Sequence, residues 1–191
     1  MTLNEYISRI NQTYRLGNAT EHTYRGDLAT LLQSLAAEII ATNEPKGEKW
    51  GRVDYAISLK GINIGFIEAK DIGDNDLEGK KKTGNQEQFD RYRAALSNLI
   101  ITDYIDFHFY KEGVLTEKIS IGKIENNSII PLSQNFQGFT NSFKNFTDQT
   151  PITIKSPTRL AEMMAGRARL MADIIEKSLN EDDAVNKDSE I

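Results

Sequence analysis

The stretch GRVDYAISLKGINIGFIEAK, residues 51–70, decides the fold, because it has the pattern of two apolar strands joined at Lys60-Gly61. Isoleucine and phenylalanine occur nearly throughout both strands, so neither strand belongs to a generally wet surface. Three charged residues, Asp54, Glu68 and Lys70, nevertheless lie inside this hairpin. Charged side chains in a buried sheet need partners, and their presence here indicates a functional site.

The length of the turn determines whether these charges meet. Side chains alternate along a strand, so Glu68 and Lys70 share one face of the sheet. Asp54 joins that face only if the turn has an odd number of residues. We therefore predict a three-residue loop at 59–61, which pairs Asp54 with Phe66 and leaves it one diagonal step from Glu68. A two-residue turn would place the two carboxylates on opposite faces.

Two neighbouring carboxylates without a basic partner between them favour a bound cation. Burying such a pair costs several kcal/mol, and a hard divalent ion relieves the repulsion. Mg²⁺ prefers oxygen ligands and usually takes one or two carboxylates, so we expect Asp54, Glu68 and the carbonyl of Ala69 to bind it. Lys70 would then hold the attacking water or stabilise the transition state. An ordinary Glu–Lys pair with an aspartate at a strand end remains the alternative.

The rest of the chain predicts a mixture of helices and strands that is not a regular βαβ alternation. The polar segment 71–85 is expected to be a mobile excursion. We expect helices at 3–14, at 85–97, at 132–149 with an aromatic stripe, and from Ser156-Pro157 to about Asn180. A further helix is expected from the capping box NATE (18–21) to a point before Pro45, with Ile39 and Ile40 on its apolar face. Strands are expected at 52–59, 62–70 and 99–103, and as a pair joined at Glu112-Gly113 within 104–122.

Composition narrows the class of protein. The 191 residues fit one domain with extra helices, and the absence of cysteine excludes disulfides and thiolate metal sites. No apolar stretch is long enough for a membrane span, so we expect a cytoplasmic protein without a membrane partner. The net charge of −5 is unusual for a protein that contacts nucleic acid, but residues 180–191 contain five acidic residues and one lysine. The remainder of the chain is close to neutral.

The segments VDYAI and GFIEAK resemble the core of PD-(D/E)xK nucleases, with Asp54 in the first acidic position and Glu68-Ala69-Lys70 as the ExK triplet. Val53 stands where the family usually has proline. The resemblance implies an α/β fold of the restriction-endonuclease type, in which helices flank a mixed central sheet, here with additional C-terminal helices. It also implies a metal-dependent deoxyribonuclease that uses Mg²⁺, with Mn²⁺ as a possible substitute.

Two further elements of the family have counterparts in this chain. Gln88 and Tyr92 match the QxxxY element that some members place after the ExK triplet, and they share a helical face. In the family this glutamine orients the active site and DNA, so the resemblance implies a catalytic role for Gln88 and a DNA contact for Tyr92. Tyr92 is otherwise a core residue, and Gln86 is the alternative glutamine. Glu21 matches the helical glutamate that reaches the metal directly or through water. Glu21 also fits a helix cap.

Over most of residues 15–180 the chain is similar to the N-terminal nuclease domain of single-chain type IIG and type ISP restriction–modification enzymes. This similarity implies a nuclease domain at 1–150, a connecting helix at 151–180 and a disordered acidic tail at 181–191. The implied partners are double-stranded DNA and downstream methyltransferase or helicase domains, with a monomer in isolation and a possible transient dimer on DNA.

The loop after the triplet and the choice of function leave alternatives open. Lys80, Lys81 and Lys82 are candidates for phosphate contacts, or they form a solvated charge run. The alternatives to a restriction endonuclease are a catalytically inactive docking or DNA-binding module and a DNA-repair exonuclease or resolvase with the same core.

Overall fold

The computed structural model describes residues 1–45, 53–81 and 85–148, together with single helical positions between 161 and 175. Within these ranges four helices and eight strands form a mixed α/β domain, as the sequence predicts. The helices are α1 (Leu3–Tyr14), α2 (Glu21–Leu35), α3 (Asn85–Ala95) and α4 (Phe136–Thr147), and the strands are β1 (Ile39–Asn43), β2 (Tyr55–Leu59), β3 (Ile62–Ala69), β4 (Asn98–Thr102), β5 (Asp106–Lys111), β6 (Val114–Ser120), β7 (Gly122–Glu125) and β8 (Ser128–Pro131).

The central sheet has six strands in the order β1-β2-β3-β4-β5-β6. All neighbouring strands are antiparallel except β3 and β4, which are parallel. A parallel pair needs a crossover connection, and α3 is that crossover. The strands β7 and β8 form a separate hairpin, which the sequence analysis did not predict, and Ile129 in β8 donates its main-chain N–H to Asn11 of α1 at 2.8 Å.

Helices cover both faces of the sheet, so the molecule has two apolar cores. Phe89 and Tyr92 of α3 pack against Leu99 and Ile101 of β4 on one face. The larger core on the other face gathers the apolar side of α1, α2 and α4, including Tyr6, Leu28, Phe139 and Phe143, with Ile100 of β4. All five residues of β4 are buried, which confirms the prediction of a strand covered on both faces.

The long helix predicted to end before Pro45 is wrong in its second half. Helix α2 ends at Leu35, Ala36 is extended and Glu38 has a positive φ of 67°, after which Ile39–Asn43 form strand β1. β-Branched residues favour strands, and Ile39 pairs with Leu59 of β2. The capping position also differs, because Thr20 rather than Asn18 precedes the helix.

The turn between β2 and β3 has two residues, so the predicted three-residue loop is wrong. Lys60 and Gly61 both have positive φ, 52° and 78°, as a type I′ turn requires, and Leu59 pairs with Ile62. Further along the hairpin the register shifts by one residue, because Ser58 pairs with Asn63 but Ile57 pairs with Gly65. Ile64 is therefore the extra residue of a β-bulge.

The bulge restores the alignment that the two-residue turn would have destroyed. Beyond it Tyr55 pairs with Ile67, and the next residue on each strand brings Asp54 opposite Glu68. The two carboxylates are thus directly opposite, not one diagonal step apart as predicted. The two-residue turn and the one extra residue of the bulge together have the effect expected of a three-residue turn, because they place both acids on the same face of the sheet.

Contacts from two other elements hold the bulge in place. Asn98 of β4 donates from its amide to the main-chain oxygens of Ile64 and Phe146, at 2.8 and 3.0 Å. At Gly65 a Cβ atom would lie 2.3 Å from Cζ of Phe146 and 2.9 Å from Nδ2 of Asn98, so a larger residue cannot fit unless these side chains move. The bulge is therefore fixed by the aromatic end of α4 as well as by the strand itself.

The remaining predictions differ in their outcome. The strands β5 and β6, their turn at Glu112-Gly113 and the aromatic face of α4 are confirmed. The part of the expected mobile excursion that the structure describes, 71–81, forms turns in which the buried Asp76 accepts the N–H groups of Lys80 and Lys81. The C-terminal helix at 156–180, apart from its single helical positions, and the acidic tail lie outside the described residues.

Within the described part of the chain, no helix combines the length and the apolar character needed to cross a lipid bilayer.

Candidate active site

Glu68 is the centre of a buried polar network on the face of the sheet that α3 covers. Its side chain is only 4% exposed, and its Oε1 atom accepts hydrogen bonds from Lys70 Nζ and from Gln88 Nε2, both at 2.8 Å. Its Oε2 atom has no hydrogen-bond partner among the described residues. Burial, and then the charge of Asp54, raise the pKa of Glu68 to about 7, although the pairing with Lys70 opposes them.

Lys70 and Gln88 complete this network from two different elements. Lys70 continues β3 by one residue, since its N–H donates to the oxygen of Thr102 at 2.8 Å, and its Nζ donates to Gln88 Oε1 at 2.9 Å. Gln88 lies in the first turn of α3 and contacts the hydroxyl of Tyr92 at 3.1 Å, as expected for positions i and i+4. Gln86 is exposed and lines another groove, so Gln88 is the glutamine at this site.

Tyr92 contributes to both readings that its position allowed. It is 5% exposed and packs in the α3 core, and its hydroxyl also contacts Gln88. Burial and then the charge of Glu68 raise the pKa of Tyr92, so the hydroxyl stays neutral. It therefore supports Gln88 from within the core.

Asp54 lies immediately before β2 and is 8% exposed. One of its carboxylate oxygens, Oδ2, accepts the main-chain N–H of Ala69 at 2.7 Å. The other, Oδ1, accepts a hydrogen bond from Nη2 of Arg25. The N–H of Ala69 thus holds Asp54 beside Glu68, while a metal-ligand role for the Ala69 carbonyl remains a prediction.

Arg25 is the residue that sequence reasoning missed. It projects from α2, its side chain is 6% exposed, and besides Asp54 it binds Glu21 Oε1 through Nη2 at 3.1 Å and Glu44 Oε1 through Nη1 at 2.5 Å. Burial lowers the pKa of Arg25, but the charge of Asp54 and the hydrogen bond to Glu44 outweigh it, so the pKa is raised. Asp54 therefore has a basic partner that the sequence analysis did not expect. The spacing of Glu21 and Arg25, i and i+4 on one helix, was the available signal.

Glu21 is the first residue of α2, not the third residue after a cap at Asn18 as predicted. Its N–H donates to the carboxylate of Asp71 at 2.8 Å, and its main-chain oxygen accepts the hydroxyl of Tyr104 at 2.5 Å. Its side chain is 27% exposed and reaches Asp54 only through Arg25.

The described lysines of the predicted basic run have partners on their own loop. Lys80 pairs with Glu78, and Lys81 donates to Asn75 at 3.3 Å. Lys82 lies outside the described residues. Lys80 also borders an open groove of about 430 Å³ whose lining includes Gln86 and Arg93.

The composition of the site can be compared with what a divalent ion needs. Among the described residues, no three histidine or carboxylate side chains are grouped closely enough to hold a metal ion by themselves. Mg²⁺ in proteins typically uses only one or two carboxylates and completes its shell with waters and phosphate oxygens. Asp54 and Glu68 match that number, and the buried, unpartnered Oε2 of Glu68 is the acceptor that a cation would satisfy.

Comparisons with known proteins bear on the fold. No protein-family model matches the chain, and no curated protein matches it by sequence. Among solved structures, the cryo-EM structure of a DrdV–DNA complex is similar with a TM-score of 0.57 and 15% sequence identity, over 78% of this chain and 14% of that one. The chain thus spans about one-seventh of the length of this structural relative. The six-stranded sheet of the present chain, with its flanking helices, is a restriction-endonuclease-like fold.

Proposed function

We propose that this chain is a Mg²⁺-dependent DNA endonuclease domain of a restriction–modification enzyme. The observation that supports this most directly is the pair of opposed carboxylates, Asp54 and Glu68, beside a lysine held at Glu68 and Gln88. Arrangements of this kind bind a divalent ion next to a phosphodiester. The similarity to a chain solved in complex with DNA supports DNA as the substrate.

Each residue of the network has a role in this proposal. Glu68 binds the ion through its unpartnered Oε2 atom, and Asp54 binds it from the opposite strand, with the Ala69 carbonyl as a further ligand. The bound Mg²⁺ would supply a polarised phosphate oxygen and a water of lowered pKa, and Mn²⁺ could replace it. Glu21 would contribute indirectly, by fixing Arg25 against Asp54.

Lys70 would act on the substrate. An ammonium group has three donors, and Lys70 uses two of them for Glu68 and Gln88, which leaves one N–H for the attacking water or a phosphate oxygen. Because both of its partners are largely buried or held by α3, the position of Nζ is fixed before DNA binds. A preorganised charge of this kind stabilises the negative charge that develops on the phosphate.

The partners follow from the proposed reaction. Double-stranded DNA would be the substrate, and Lys80, Lys81 and Lys82 would contact its phosphates, for which Lys80 and Lys81 would leave their partners Glu78 and Asn75. Because the chain spans only 14% of its structural relative, downstream methyltransferase or helicase domains would select the sequence to be cut. The isolated domain would be monomeric, with a transient dimer forming on DNA when both strands are cut.

Plasmid cleavage tests the proposal. The purified chain is incubated with supercoiled plasmid and Mg²⁺ or Mn²⁺, and Asp54→Asn and Lys70→Met are each expected to lower the rate by at least about a hundredfold. Lys60→Ala, at the exposed tip of the same hairpin, is the matched control and should cleave like wild type. Undiminished cleavage by both Asp54→Asn and Lys70→Met would reject the assignment.

A second function, a DNA-binding module without catalysis, is favoured by one observation. Arg25 already neutralises Asp54, one of the two carboxylates that would hold the ion. Calorimetry with Mn²⁺ separates the two functions, since the nuclease should bind the ion and lose it on Glu68→Gln. A module of the second kind should show no binding that depends on Glu68.

A further inference from the structure

Arg25 already supplies a positive charge at Asp54. Its Nη2 atom donates to Asp54 Oδ1 and to Glu21 Oε1, so one nitrogen lies between two carboxylates from different elements. Its Nη1 atom binds Glu44, at the end of β1. The guanidinium therefore neutralises these carboxylates, and its Nη2 atom is shared by two of them, Asp54 and Glu21.

The charge of Arg25 is permanent. A guanidinium is not deprotonated in proteins, and its planar fork suits two carboxylates at once. With only 6% of the side chain exposed, Arg25 cannot move into solvent without removing its charge from the largely buried carboxylate of Asp54. A metal ion that displaced it would have to compensate for that cost.

Few carboxylate oxygens of Asp54 and Glu68 remain free to bind a metal ion. Asp54 has a hydrogen bond on each oxygen, from Arg25 and from Ala69, and Glu68 has its Oε1 atom occupied twice. The Oε2 atom of Glu68 is the buried carboxylate oxygen at the site without a hydrogen-bond partner among the described residues. One such oxygen, on the carboxylate that the strand register places beside Asp54, suits one ion.

We propose that the site binds a single divalent ion and that the guanidinium of Arg25 takes the place of a second. This inference rests on the proposed nuclease function and deepens it. Arg25 is then a positioning residue that holds Asp54 for the one ion, and Glu21 is the counter-ion of Arg25 and not a metal ligand.

Titration of the full chain with Mn²⁺ in a calorimeter tests the proposal without any cleavage assay. Wild type is expected to bind one Mn²⁺ per chain, and Arg25→Lys, which keeps the positive charge, should also bind one. Arg25→Met keeps the length but removes the charge, so Asp54 and Glu21, which share Nη2 of Arg25, lose their cation and should recruit a second Mn²⁺ whose remaining ligands are waters. Two neighbouring Mn²⁺ ions would also give a spin-coupled electron paramagnetic resonance spectrum in this variant.

Glu21→Gln provides a second test that does not depend on the folding of Arg25→Met. Glutamine still accepts the hydrogen bond from Arg25, so this variant should keep one Mn²⁺ and change its affinity by less than about threefold. Circular dichroism of each variant verifies folding. Two ions in wild type, a single ion in a folded Arg25→Met, or loss of Mn²⁺ from Glu21→Gln would each overturn the inference.

Failure of the proposed function gives a different result. If wild type binds no Mn²⁺, the metal-dependent function is rejected and the inference with it. If wild type binds two ions and loses them on Glu68→Gln, the nuclease proposal stands and only the role of Arg25 is wrong.

Discussion

Replacing Glu68 by glutamine should stabilise the metal-free protein, and more strongly at alkaline pH. The pKa of this buried carboxyl is about 7 in the folded protein against an ordinary value of 4.5. A raised pKa means that the folded state binds the proton more tightly than the unfolded state, so stability falls as pH rises from 4.5 through 7. Linkage gives a loss of about 1 kcal/mol at pH 5 and about 3 kcal/mol at pH 8.5.

Glutamine keeps the shape of the side chain and cannot ionise, so it avoids this loss. Its weaker hydrogen bond to Lys70 lowers stability by an amount that is nearly the same at both pH values, and this constant cancels when the two are compared. The gain of Glu68→Gln over wild type should therefore be about 2 kcal/mol larger at pH 8.5 than at pH 5.

Urea denaturation in EDTA at the two pH values measures this difference. Glu87→Gln, on the exposed side of α3, controls for the loss of one carboxylate from the chain. Adding Mg²⁺ at pH 8.5 should stabilise wild type and leave Glu68→Gln unchanged, because only a folded site with its carboxylate binds the ion. An equal effect of Glu68→Gln at both pH values would refute the reasoning from burial.

Three further predictions concern the bulge and the glutamine. Gly65→Ala should lower the free energy of unfolding by roughly 2–3 kcal/mol, because the new Cβ would lie 2.3 Å from the Phe146 ring. Gly26→Ala in α2 should instead raise the free energy of unfolding by about 0.5–1 kcal/mol, because beyond the backbone of the helix itself no described atom lies within 4 Å of the new Cβ. Urea midpoints that move in the same direction would contradict this. Asn98→Ala should lower the free energy of unfolding by about 2 kcal/mol, since the main-chain oxygens of Ile64 and Phe146 lose their donor. An unchanged urea midpoint would show that these two hydrogen bonds do not stabilise the fold. Gln88→Ala should slow plasmid cleavage by roughly 10–100-fold, because Glu68 and Lys70 each lose a partner, and a rate equal to wild type would exclude that support.

Local pattern was sufficient for the parts of the fold whose environment is uniform. The continuous apolar run of β4 predicted a strand covered on both faces, and the spaced phenylalanines predicted α4. Local pattern failed at Ile39, where an apolar residue after a helix fits either a longer helix or a new strand. Pairing with Leu59, which lies 20 residues further along the chain, decides for the strand.

The candidate site was only partly predictable for the same reason. Glu68, Lys70 and Gln88 come together as their spacing suggested, through a strand and the first turn of the following helix. The bulge at Ile64 depends on Asn98 and α4, so nothing within the hairpin sequence reveals it. The burial of Arg25 likewise depends on carboxylates from three separate segments, which no single window of sequence displays together.

Because of the bulge, the face of the sheet on which Asp54 and Glu68 lie depends on the exact number of residues in the two strands between them. Gaining or losing one residue within either strand, between the turn and the acids, would turn one acid toward the opposite helix layer, even where the strands still paired and the domain still folded. Gaining or losing two there would return both acids to the same side. Length variation within these strands among related chains should therefore come in even steps, or in single steps compensated by a second bulge, whereas an added residue in the turn leaves the register beyond it unchanged.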